Sequence, residues 1–169
     1  MSTHMANQTV TAEPAHVLQV LTDPGACGRW APIAFTTDQA PGQRLQAGTR
    51  TRLRGRIAGR NVTFEIHVVA ADERGLSLRA TGPVRFEVDY RLTPAARRTL
   101  IEAQITLAQT GGIAGAFIAR ATDAMLGAGA LRFALRTIAA EAEQLQLTAR
   151  TKLVRSPRTE SRRLVVVNG

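Results

Sequence analysis

Few side chains in this 169-residue chain are of types that do chemistry, and their spacing sets narrow limits on what that chemistry is. The three histidines are His4, His16 and His67. His4 lies in the opening residues, His16 in a helical stretch, and His67 on the charged side of a strand. No His/Asp/Glu cluster has metal-ligand spacing, so no metal is expected. The single cysteine, Cys27, leaves no internal disulfide and no cysteine-based zinc site. Arg29 stands two residues on, a charge that favours a thiolate. With no histidine to pair with it, Cys27 reads as a buried structural residue. Gly111-Gly112-Ile113-Ala114-Gly115 lacks the Lys-Ser/Thr of a phosphate loop and reads as a turn into a helix. Tyr90 remains as the strongest candidate. It falls on the apolar side of its strand, and a phenol there can donate to a carbonyl. Arg29, Thr49 and Thr51 are weaker polar candidates, and Arg120 and Asp123 read as a surface pair.

Strands and helices must position these groups. Thr49–Ile57 alternates with period two, setting Thr49, Thr51, Leu53, Gly55 and Ile57 against Arg50, Arg52, Arg54 and Arg56. Asn61–Ala70 places Val62, Phe64, Ile66 and Val68 on one face. Val84–Leu92 sets Val84, Phe86, Val88, Tyr90 and Leu92 against Arg85, Glu87, Asp89 and Arg91. Leu76–Thr81 and Arg98–Gln109 read as further strands, with Gln8–Thr11 and Ile33–Thr37 as short ones. Turn signals between them predict antiparallel hairpins. The four arginines of Thr49–Ile57 are expected to pair with Glu65, Glu87 or Asp89 on neighbouring strands.

Gly112–Leu147 reads as one long helix. Its stripe is Ile113, Phe117, Ala121, Ala124, Ala128, Leu131, Leu135, Ile138, Ala142 and Leu145, at gaps of three and four. Alanine where bulk is expected predicts space for a ligand beside Ala121, Ala124, Met125 and Ala128. Trp30, in the second of two short helices after the first strand, is a candidate for the same lining, with Phe64, Ile66, Phe86, Val88 and Phe117.

The totals fit one soluble domain with a real core. No run of eighteen apolar residues exists, so no transmembrane helix is expected. The N-terminus lacks the pattern of a signal peptide, which points to a cytoplasmic protein. The net charge is +9. Six basic residues against one acid lie from Arg150 onward, and arginine far outnumbers lysine, so the charge is not read as a nucleic-acid footprint. Residues 1–6 are expected to be disordered, 7–149 to form the domain, and 150–169 to be a basic disordered tail whose run Leu164–Val167 could add to a sheet edge.

The order strand, helix pair, strands, long helix resembles the helix-grip layout of the SRPBCC superfamily, which holds START domains, birch-pollen-allergen-like proteins and polyketide cyclase/dehydrases. The matching residues are Val10–Val17 for the opening strand into the first helix, Leu21-Thr22-Asp23-Pro24 with Trp30-Ala31-Pro32 for the second helix, Val88–Pro94 for the late strand and turn, and Gln109–Gly112 for the entry to the long helix. The resemblance implies an α+β fold. A curved antiparallel sheet of about seven strands would wrap the C-terminal helix, and a cavity between them would hold a hydrophobic or polyketide-like molecule without cofactor. It implies a bacterial cyclase/dehydratase-type enzyme of secondary metabolism, monomeric or homodimeric, with Tyr90, Arg29 and Thr51 as catalytic candidates. Polyketide aromatase/cyclases carry polar residues inward on the strand matched by Val62–Val68. Here those positions are apolar, so ring formation would rest on folding the substrate with few polar groups. The alternative is a non-catalytic carrier of a hydrophobic ligand.

Overall fold

The computed structural model describes residues 1–155 except Pro32, Pro41 and Thr110. The elements run β1 (Ser2–Val10), α1 (Pro14–Thr22), α2 (Pro24–Trp30), β2 (Phe35–Thr37), β3 (Arg50–Ile57), β4 (Arg60–Asp72), β5 (Gly75–Thr81), β6 (Val84–Ala95), β7 (Arg98–Gln109), α3 (Ile113–Gly127) and α4 (Ala130–Arg155). One seven-stranded sheet has the order β1-β7-β6-β5-β4-β3-β2, with every neighbouring pair antiparallel. This is the expected α+β helix-grip architecture.

Local chemistry explains the joints. Pro14 opens α1 where its missing N–H costs nothing. The Asp23 carboxylate caps α2 by accepting from the Gly25 N–H at 2.9 Å. Ala58 (φ 48) and Gly59 (φ 79) form the two-residue turn between β3 and β4, a conformation matched to strand twist. Gly55 is required by a close approach, since a Cβ there would lie 2.4 Å from the Phe35 ring that crosses it. The outer face carries one expected cross-strand pair, Arg52–Glu65 (3.7 Å), while Arg54 pairs with Asp38 (3.2 Å) and Arg79 of β5 with Glu87 (3.3 Å).

Three expectations are corrected. Residues 2–6 are ordered, because β1 pairs with β7 from Ser2↔Leu107 through Val10↔Thr99. Backbone hydrogen bonds of the ladder hold this polar segment, which its own hydrophobicity does not. Residues 150–155 continue α4 instead of opening the tail. Leu164–Val167 lies outside the described residues. The long helix is two helices. Gly127-Ala128-Gly129 interrupts it, with Gly129 at φ 101, a left-handed conformation that ends helices.

The break changes which face is buried. On α3 the buried positions are Gly115, Ile118, Thr122 and Leu126. On α4 they include Leu131, Leu135, Ile138 and Ala142, as the periodicity predicts. Two apolar clusters result. The larger joins α1, α2 and α4 to the strands β1 and β4–β7, and includes Val17, Leu21, Leu76, Ile101 and Leu135. The smaller joins Ile118 of α3 to Ile57, Val62, Phe64, Ile66, Ala80 and Val84.

Candidate functional site

Half-buried Leu78 and Phe86 pack against both clusters. Between the clusters lies a cavity of about 200 Å³, walled by residues of both. Its sheet wall is Thr51 and Leu53 of β3, Phe64 and Ile66 of β4, Leu78 and Ala80 of β5, Phe86, Val88 and Tyr90 of β6, and Ile105 of β7. Phe86, Val88 and Ile105 sit on interior strands yet are only half-buried, as residues bordering a void must be. α2 supplies Cys27 and Trp30, while the helical roof is Thr122, Met125 and Leu126 of α3 with Leu131 and Ala134 of α4. None of the lining side chains is charged. A larger open depression, about 750 Å³, lies on the sheet's outer face among Asp72, Arg74, Asp89, Arg91 and Glu102. It is lined by side chains of both signs at the solvent boundary, where Asp89 accepts from the Ser77 hydroxyl and Asp72 from the Arg74 N–H.

The polar groups of the cavity are few and neutral. Tyr90 is 5% exposed, and its hydroxyl makes no hydrogen bond among the described residues. Burial, and then the charge of Cys27, raises its pKa, so the phenol stays protonated and remains a donor. The Trp30 ring meets it edge to face at 6.0 Å, and the buried Trp30 Nε1 has no partner among the described residues. The Thr37 and Thr51 hydroxyls bond each other at 3.1 Å, and Thr37 Oγ1 also accepts from the Gln39 N–H. Thr122 donates to the Ile118 carbonyl within its own helix. Burial, followed by the negative charge of Asp23, pushes the Cys27 thiol up to about 12. The thiol is therefore not a nucleophile at neutral pH, as the structural reading of this residue requires. No group of three or more metal-ligating side chains exists among the described residues.

Of the candidates drawn from sequence, Tyr90, Thr51, Trp30, Phe64, Ile66, Phe86, Val88 and Met125 come together around this cavity. Five do not. Arg29 faces outward, donating through Nε and Nη2 to Glu141 on α4 at 2.8 and 3.0 Å and through Nη1 to the Gly25 carbonyl. Phe117 is 48% exposed and stacks under the Arg60 guanidinium at 5.6 Å. Ala121 packs beside the smaller cluster without lining the void. Ala124 and Ala128 face solvent. The physical reason is common to the last four. The stripe was phased from α4, and the Gly127–Gly129 break shifts that phase, so the inward face of α3 is the one through Thr122 and Leu126. The expected Arg120–Asp123 pair is also absent, because Asp123 bonds His4 Nε2 of β1 at 2.8 Å. Phe35, Thr37, Thr122, Leu126, Leu131 and Ala134 are lining residues that the sequence reading missed. Breaking the helix at the glycine pair would have revealed the α3 members.

A family model described as "Polyketide cyclase / dehydrase and lipid transport" matches residues 3–143. No curated protein matches the chain. Among solved structures, TTHA0849 from Thermus thermophilus superimposes with a TM-score of 0.66 at 18% identity, covering 85% of this chain and 99% of its own. The Zhui aromatase/cyclase from Streptomyces sp. R1128 gives 0.64 at 21% identity, covering 85% and 94%. Ara h 8.0201 gives 0.56 at 12% identity, covering 85% and 98%. At these identities the likenesses establish the fold alone. With the family match spanning most of the domain and the cavity lying between sheet and C-terminal helices, the chain belongs to the polyketide cyclase/dehydrase and lipid transport family of the SRPBCC superfamily.

Proposed function

We propose that the chain binds an uncharged, largely apolar molecule of one or two rings in this cavity, with Tyr90 donating to its hydrogen-bond acceptor. The observation that carries this is the lining, which is apolar apart from neutral donors and hydroxyls. A charged ligand would lose its hydration there with no counter-charge, at a cost of several kcal/mol. Size narrows the class further. Ligand pockets for drug-sized molecules hold about 300–1,000 Å³, whereas an apolar cavity of about 150 Å³ takes benzene. A void of about 200 Å³ suits a bicyclic ketone rather than an extended polyketide chain.

Trp30 is the only tryptophan and lies in the cavity wall, so its fluorescence reports occupancy. Titration with 1-tetralone is expected to give a saturable change, and titration with 1-naphthoate none. Equal responses to the two, or no response to the ketone, would sink the proposal.

A second reading, a cyclase/dehydratase-type enzyme, is favoured by the unpartnered Tyr90 hydroxyl. A donor waiting in an apolar pocket can stabilise an oxyanion as it forms, and the walls can hold a reactive chain close to its ring-forming geometry. The family description and the aromatase/cyclase likeness support this reading. Arg29 has no part in it, because it sits outside the cavity. With no acid–base pair among the lining residues, the proton would move through water or the substrate itself.

A further inference from the structure

The outer side of the α3–α4 elbow carries a surface that ligand binding does not use. Ile113 is 92% exposed, Phe117 48% and Phe133 61%. The last two are the only exposed aromatic side chains among the described residues. Ala124 and Ala128 continue the exposed face of α3 at helical spacing, so the side turned to water is apolar where a globular protein's helix is normally polar. The charges beside it have one sign. Arg120, Arg132 and Arg136 are exposed and make no ion pair among the described residues, and Arg60 lies over Phe117. From Ile113 to Ala140 the one acid is Asp123, already engaged by His4.

We infer that this face docks peripherally on an anionic lipid bilayer. An apolar stripe bordered by arginines, with no free acid, is the pattern of a helix that lies in the interfacial plane. A second copy of the chain fits less well, since like faces would bring their arginines together in a molecule already at +9. Placement also favours lipid. The opposite face of the same helix, through Thr122, Met125 and Leu126, walls the cavity, so docking sets an apolar pocket against an apolar reservoir. Among the described residues no helix is long and apolar enough to cross a membrane, so the inferred contact is with its surface.

Co-sedimentation of the full chain with phosphatidylcholine vesicles, with and without phosphatidylglycerol, tests this. Binding is expected only with phosphatidylglycerol and should weaken with salt. Phe117→Ser with Phe133→Ser should lower the partition coefficient about tenfold. Each of Arg120→Gln, Arg132→Gln and Arg136→Gln should lower it about fivefold. These side chains are exposed, so thermal melts of the variants should match wild type. Absence of binding to anionic vesicles overturns the inference. So does binding that the serine variants leave undiminished, which would place the contact elsewhere on the chain. Concentration-dependent dimerisation lost in the serine variants, without vesicle binding, would assign the face to a second copy instead.

Discussion

Tyr90 is the residue on which the proposed ligand binding and the proposed chemistry converge. Its hydroxyl makes no hydrogen bond among the described residues and its side chain lines the cavity, so a ligand there can supply the acceptor. Tyr90→Phe removes that donor and leaves the ring contact with Trp30 in place. The variant is expected to melt at or slightly above the wild-type temperature and to bind 1-tetralone about three- to tenfold more weakly. If the chain is also a cyclase, turnover should fall far more than affinity, by about a hundredfold or more, as for loss of an oxyanion donor. Arg29→Ala is the control. The Arg29–Glu141 pair is largely exposed and contributes less than about 1 kcal/mol, and its loss should not touch affinity. A tetralone affinity that drops in Arg29→Ala and not in Tyr90→Phe would reverse the assignment. Tyr90 was legible in sequence because strand alternation is a strict period of two. Arg29 was not, because proximity in sequence to Cys27 and Trp30 says nothing about which side of a seven-residue helix a long side chain leaves from.

At the scale of elements, the strands follow directly from alternation, and β6 matches its expected faces residue for residue. The helices show where periodicity alone fails. Two apolar or small stripes compete on α3, and the one in phase with α4 is the exposed one. A terminator at Gly129 resets the phase, and neither hydrophobicity nor spacing carries that information unless the glycines are read as a stop. The N-terminal strand is the converse case. Its residues have little β-forming hydrophobicity, and only the free edge of β7 makes them a strand. That edge strand is tied to α3 by His4 and Asp123 at 2.8 Å. Hydrogen bonds from Ser2, then His4, hold the Asp123 carboxyl below its ordinary pKa. A lowered folded-state value means that the stabilising contribution is complete above the ordinary carboxylate range, about 3.9, and is lost as pH falls through the lowered value. Thermal melts should therefore show wild type losing more stability on acidification than Asp123→Asn, which lacks that titration. Parallel pH profiles for the two would mean that the pair does not couple β1 to α3.

The whole molecule is two cores that share a sheet and are bridged by Leu78 and Phe86, and the void between them is where function is proposed to reside. An unfilled void lowers stability in proportion to its size, because the atoms around it lose packing partners. A ligand that fits recovers those contacts, and at a hundred times its Kd it should stabilise the fold by about 2.7 kcal/mol. A side chain that grows into the void should stabilise the empty protein and exclude the ligand together. Val88 suits this test, since it borders the void from the interior strand β6 and is half-buried there. Val88→Phe is expected to raise the melting point of the ligand-free protein, gaining about 1 kcal/mol if the ring settles without strain. It should also abolish the tetralone-induced change in Trp30 fluorescence. Ala124→Phe adds the same ring to the solvent face of α3 and should change neither quantity. That control separates the observed cavity from the one the alanine stripe predicted. Were Ala124→Phe to block binding while Val88→Phe did not, the ligand would sit on the outer face of α3, and the void between the two cores would be only a packing defect.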